Sequence, residues 1–301
     1  MPLSPSAAIA ATPTRVRWTR VAAFFAIALA ASGLLSVPFA LGVLPEEAVG
    51  LVVPIAQLAP LIAALIVRDR SVRRRDALTL TVPSRRALWQ AAGVAVLAFA
   101  SVPLVRAAIA LVTGSAQLGA GDGIAMIVVA VPVVLVLQTL FGIGEELGWR
   151  GWLQTTLSPL GFWASSLVIG VLWALWHLPI VIALGLAGRE LVAYLLVILA
   201  VAPLLSTLRV LGMSVWPAVL GHGLLNSLRV AIDQNLLSPA SERGDGAFWI
   251  VEASGWALWL LAAFLVMRAA GRRAGSHRPG ALARLVRDPS CGVTSLNSPR
   301  A

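Results

Sequence analysis

The chain has no lysine and a single cysteine, Cys291, and only 12% of its 301 residues are charged. Soluble domains carry about 25% charged residues. With 59% apolar residues and a mean hydropathy of +0.89, a soluble globule is excluded, because it would have to present far more polar surface to water. Disorder is excluded by the same figures, since it requires low hydrophobicity. One cysteine forms no internal disulfide and supplies neither a redox pair nor a cysteine-rich metal set.

Charge of one sign is also scarce: 13 acidic residues stand against 23 arginines, leaving a net charge of +10. On a soluble chain this excess would suggest nucleic acid. Here the arginines flank apolar segments, with no arginine stripe interleaved with aromatics, so nucleic acid is excluded as a partner. The arginines read instead as topology signals at an anionic membrane surface.

Apolar stretches at about 21–44, 48–67, 87–112, 124–145, 162–185, 191–211, 214–231 and 247–267 can each cross about 30 Å of hydrocarbon as a helix. The expected fold is all-α, a polytopic bundle of about eight transmembrane helices over residues 21–270. A short segment, 1–20, precedes it, and an Arg-, Ser-, Pro- and Gly-rich tail, 271–301, expected to be disordered, follows. The first run is too long for the apolar part of a signal peptide, about 7–15 residues, and is read as a retained span. Arginines cluster at 15–20, 68–86 and 268–300. Eight spans put all three clusters on one side, which the positive-inside rule makes cytoplasmic, with both termini there. Arg106, Arg209 and Arg229 are expected to reach helix ends by snorkelling.

Ionisable groups deep in a bilayer cost several kcal/mol and mark function by default. Three segments carry them: Glu145-Glu146-Leu147-Gly148-Trp149-Arg150, Trp173-Ala174-Leu175-Trp176-His177 and His222-Gly223-Leu224-Leu225-Asn226. Ser158-Pro159-Leu160-Gly161 is a turn signal. At 1.5 Å per residue, Glu145 and His177 then lie at matched depth, about 20–24 Å from that turn. Glu146 with Arg150, and His222 with Asn226, are i,i+4 pairs on one helical face. Adjacent Glu145 and Glu146 diverge by about 100°. Gly142, Gly144, Gly148 and Gly151 allow close helix approach or a cavity beside them.

Two imidazoles and a carboxylate are the donor types of a hydrolytic zinc site, with a second carboxylate as general base. The same groups can act without metal: Glu145 and His177 would activate water, and His222 and Asn226 would stabilise an oxyanion. A proton-coupled transporter relay and a non-catalytic membrane scaffold or immunity protein are the competing readings of such a cluster.

These three motifs, in this order, resemble the CPBP family of intramembrane proteases, which includes the type II CAAX prenyl proteases and the bacterial Abi proteins. Its pattern is E-E-x-x-x-R, F-x-x-x-H and H-x-x-x-N/D on successive membrane helices. The resemblance covers about 120–230 and implies an intramembrane endopeptidase, a hydrolase of a membrane-associated peptide or protein, with a polar cavity expected to open to the cytoplasmic side. By motif position Glu145 would activate water with the help of His177. Glu146 and Arg150 would brace the pair. His222 and Asn226 would stabilise the oxyanion, or Glu146, His177 and His222 would ligate a metal such as zinc. Trp173 departs from the family's phenylalanine and is expected to alter pocket size more than chemistry. The all-arginine, alanine-rich composition points to a GC-rich bacterial genome and a bacterial cell membrane, where prenylated substrates are not expected. The oligomeric state is left open.

Overall fold

A computed structural model describes residues 14–119 and 123–277. Among the described residues the regular elements are all helices, apart from one isolated bridge between Leu118 and Leu237. Its helices are α1 Trp18–Ala40, α2 Val49–Ala56, α3 Ala59–Val67, α4 Arg74–Ala77, α5 Arg85–Val112, α6 Gly123–Glu146, α7 Gln154–Thr156, α8 Phe162–Ala183, α9 Gly188–Gly212, α10 Trp216–Leu224, α11 Val230–Asn235 and α12 Asp245–His277. A wide π turn, Leu147–Leu153, joins α6 to α7, and a second, Leu225–Arg229, joins α10 to α11.

Seven helical segments are long and apolar enough to cross a membrane; α2 and α3 together form one of them, Val49–Val67. The eighth expected span is the rod built from α10, its π turn and α11. It falls outside that set because it carries His222, Asn226, Arg229 and Asp233 among its apolar residues, which lowers its hydropathy. A polytopic membrane bundle is the architecture. The final helix runs on to His277, into the segment expected as tail; residues 278–301, with Cys291, and residues 1–13 lie outside the described residues.

Each rod reverses the direction of the one before, so the connections fall at two ends. At the arginine-rich end, Arg17 and Arg20 both reach Asp69, at 3.3 Å, and the start of α10 meets the loop after α4 through Val215 N donating to the Thr79 carbonyl at 3.1 Å. At the other end, Ser238 N donates to the Gln117 carbonyl at 2.8 Å, and Arg189 pairs with Asp245 at 2.6 Å. This pairing puts the arginine clusters at 15–20 and 68–86 together, as an even number of spans requires.

Helix α9 is the axis: it is the most deeply buried of the seven, and it packs against α5, α8, α10 and α12. In contrast, α6 turns Val129, Val133, Val136 and Leu140 outward, an apolar stripe at helical spacing that suits lipid rather than water. Helix α8 is fixed against α1 by its polar atoms as well as its bulk. Trp176 Nε1 donates to the Ala28 carbonyl at 3.1 Å, and Ser32 Oγ donates to the Trp176 carbonyl at 3.0 Å.

Arg106 does not snorkel. It is 8% exposed and pairs with Asp233 on α11 and Glu252 on α12. Gly255 makes room for it, since a Cβ there would lie 2.9 Å from Arg106 Cδ. A buried cation of this kind needs paired carboxylates to offset its desolvation, and the two acids satisfy that requirement within the bundle.

Candidate active site

The two π turns begin one and three residues after the polar groups they serve, Glu146 and His222. Single π turns inside α-helices recur at functional sites because they turn side chains out of α-helical register. All seven residues of Leu147–Leu153 are buried. Close backbone approach is what makes this possible. A Cβ at Gly148 would lie 2.5 Å from Pro60 Cβ, and one at Gly151 would lie 2.7 Å from the Leu78 carbonyl oxygen. A Cβ at Gly144 would collide with the backbone of Gln57, and one at Gly142 would lie 3.3 Å from the His222 ring. The glycines around the carboxylates thus admit α3, the loop after α4, and the imidazole.

Glu145 and Glu146 do diverge, as adjacent helical residues must, but one imidazole spans them. His222 Nδ1 donates to Glu146 Oε1 at 2.8 Å, while its Nε2 lies 3.8 Å from Glu145 Oε1. Glu146 Oε1 also accepts from Arg150 Nη1 at 2.8 Å, and both members of that pair are fully buried. Glu146 is therefore committed to Arg150 and His222, whereas Glu145 borders a cavity.

Two neutral donors fix Glu145. Gln57 Nε2 donates to Oε1 at 2.9 Å, and Trp173 Nε1 donates to Oε2 at 2.7 Å. The Trp173 ring also carries the Arg150 guanidinium 4.2 Å from its centroid. The departure from phenylalanine at this position therefore supplies a hydrogen bond to the Glu145 carboxylate, which a phenylalanine ring has no group to make. Gln57 sits where the second span steps between α2 and α3. Pro60 there has no N–H to offer the Ala56 carbonyl, so the helical ladder is interrupted beside Gln57. Gln57 was not singled out from the sequence. Its signal, an amide inside an apolar span just ahead of a proline, was present, but its partner lies 88 residues away.

His177 Nδ1 donates to the Trp173 carbonyl at 2.8 Å. A carbonyl only accepts, so Nδ1 carries the proton, and in the neutral ring Nε2 is left as an acceptor. Asn226 Nδ2 donates to Gln138 Oε1 at 3.1 Å, leaving its second N–H and its carbonyl oxygen. Glu145, His177, His222 and Asn226 line one cavity, joined by Gln57 and Tyr194. Its volume is about 90 Å³, room for a few waters at roughly 10–15 Å³ for each.

The cavity's buried floor is Glu145, Trp173 and His222, while His177, Tyr194 and Arg229 are half-buried. Those half-buried residues lie nearer the end away from the arginine clusters. At the arginine-rich end, the buried Leu78 packs on Gly151, and Trp216 Nε1 donates to the Leu80 carbonyl at 3.1 Å. The opening was expected toward the arginine-rich side; the half-buried part of the lining lies toward the other end.

Among the described residues no three His, Cys, Asp or Glu side chains are gathered for one ion. Of the zinc donors expected, Glu146, His177 and His222, Glu146 Oε1 is bonded to Arg150 and to His222 Nδ1.

Comparison with curated proteins gives no match. A family model does match, over residues 125–228, a stretch that holds all three motifs and leaves Gln57 outside. It is described as Type II CAAX prenyl endopeptidase Rce1-like, and this segment of the chain is similar to that family, as its motifs are.

Proposed function

We propose that the protein is an intramembrane endopeptidase in which Glu145 is the general base. The observation that carries this reading is the pairing of Glu145 Oε1 with His222 Nε2 at 3.8 Å, on the floor of a cavity large enough for water. A water can hydrogen-bond to both atoms at about 2.8 Å from each. Glu145 removes its proton as the water oxygen bonds to the substrate carbonyl carbon. The N–H of Asn226 not bound to Gln138 is available to the oxyanion that forms. The C–N bond then breaks, Glu145 returns the proton to the leaving nitrogen, and an amine and a carboxylic acid result, the acid then losing its proton to solvent. Gln57 and Trp173 hold the base in place; Glu146 and Arg150 hold His222.

The transporter and scaffold readings draw less support. A relay through both carboxylates needs each to reach the water-filled path, and Glu146 is fully buried against Arg150 and His222. The positive-inside rule places the arginine-rich end and both termini on the cytoplasmic side of a cell membrane, so the half-buried part of the cavity's lining faces outward. The substrate class is a membrane-associated peptide or protein.

Purified protein in detergent, incubated with a library of membrane peptides, should yield cleavage that Glu145→Gln and His222→Ala abolish while both variants stay folded. Cleavage that survives in both variants would refute the assignment.

A further inference from the structure

The rod that supplies His222 and Asn226 also supplies Arg229. The π turn Leu225–Arg229 carries Asn226 and Arg229, and residues 222, 226 and 229 all line the catalytic cavity. Arg229 also borders a second, smaller cavity with Arg106, Glu252 and Trp256. It therefore stands at the junction between the catalytic floor and a buried charge cluster.

That cluster leaves Arg229 under-compensated. Asp233 and Glu252 both pair with Arg106, and Arg243 lies beside the same acids. Three guanidiniums against two carboxylates leave one positive charge. Arg229's ion pair among the described residues is Nη1 to Asp233 Oδ2 at 3.8 Å, too long for a hydrogen bond. Its side chain is 22% exposed, so it can reach the cavity. Arginine is the side chain whose planar fork matches a carboxylate with two parallel hydrogen bonds.

We propose that Arg229 is a specificity-determining residue that binds a carboxylate of the substrate a few residues from the cleaved bond. This rests on the endopeptidase reading above and deepens it. The spacing follows from the rod. Arg229 is seven positions after His222 with a π turn between them, so the two are at most about 10 Å apart along the rod, which an extended peptide covers in about three residues or fewer. The carboxylate is either the substrate's C-terminus or an acidic side chain, the two sources that a peptide offers.

The test uses the full-length protein in detergent and one peptide that it cleaves, in four forms: parent peptide, C-terminal amide, acidic side chains replaced by their amides, and both changes together. The readout is the ratio of kcat/KM for the carboxylate form to that for the neutralised form. That ratio does not depend on how much of a variant folds. The parent protein should prefer the carboxylate by about tenfold to a hundredfold. Arg229→Gln should bring the ratio near one, chiefly through KM, and Arg229→Lys should restore part of it. Loss of the preference on amidation identifies the C-terminus as the bound group, and loss on side-chain replacement identifies an acidic residue. An equal ratio in the parent protein and Arg229→Gln overturns the assignment to Arg229 and leaves the endopeptidase reading standing. Cleavage of no peptide by the parent protein overturns both.

Discussion

Breaking the Glu146–Arg150 pair should destabilise the bundle far more than deleting it whole. Both side chains are fully buried and meet at 2.8 Å, and Arg150 Nε and Nη2 have no hydrogen-bond partner among the described residues. Arg150→Met leaves the Glu146 carboxylate in the bundle with His222 alone. Glu146→Gln leaves a buried guanidinium supported by the face of Trp173. An uncompensated buried charge costs about 3–5 kcal/mol, whereas replacing both partners by uncharged groups of similar volume is often near neutral. Reversible unfolding in mixed micelles with increasing SDS would measure this. Each single variant should lose about 3–5 kcal/mol, and the double variant Glu146→Gln/Arg150→Met should recover most of that loss. Single variants within about 1 kcal/mol of the parent, or a double variant that is simply the sum of the two, would refute the claim that these charges depend on each other.

Trp173→Phe removes the indole N–H from Glu145 Oε2 and keeps the ring under Arg150. A hydrogen bond to a charged group contributes about 1.5–3 kcal/mol, so kcat should fall roughly tenfold to a hundredfold; unchanged kcat would mean that the bond does not orient the base. Gly148→Ala places a methyl 2.5 Å from Pro60 Cβ, against backbone that cannot yield. It should cost about 1–3 kcal/mol or more in the same unfolding assay, and a neutral result would contradict the close packing of α3 on the π turn. At the arginine-rich end, the Ser71 hydroxyl, then its backbone N–H, lower the Asp69 carboxyl from 3.8 to about 2. A carboxyl lowered on folding contributes stability above its unfolded value and loses it as pH falls through the folded one. The melting difference between the parent and Asp69→Asn should therefore hold steady from pH 7 to about 4 and shrink toward pH 2; a difference that vanishes already at pH 6 would point to another group.

Much of this protein was legible in one dimension. Apolar runs of span length fix a helical membrane bundle because hydrocarbon leaves the backbone no partner but itself. The motifs at 145–150, 173–177 and 222–226 name their groups by residue type, and Glu146 with Arg150 meets at the i,i+4 spacing that the sequence prints. The glycines beside the carboxylates signalled close approach, and α3 and the loop after α4 fill it. Other features depended on how distant rods cross. Gln57 reaches Glu145 from a span outside the motif-bearing half. Trp173 changed meaning once its indole N–H was seen on Glu145 rather than at a pocket wall. Arg106 resembled a snorkelling residue until Asp233 and Glu252 met it inside the bundle. The half-buried part of the cavity's lining lies away from the arginine-rich end, where Leu78–Leu80 folds back beneath the π turn. Residue type and spacing act within one helix, over a few ångströms, so sequence alone settled which groups exist and which share a face. Which oxygen each donor reaches, and where the cavity lies, were decided by packing between helices, since those distances belong to no single stretch of chain.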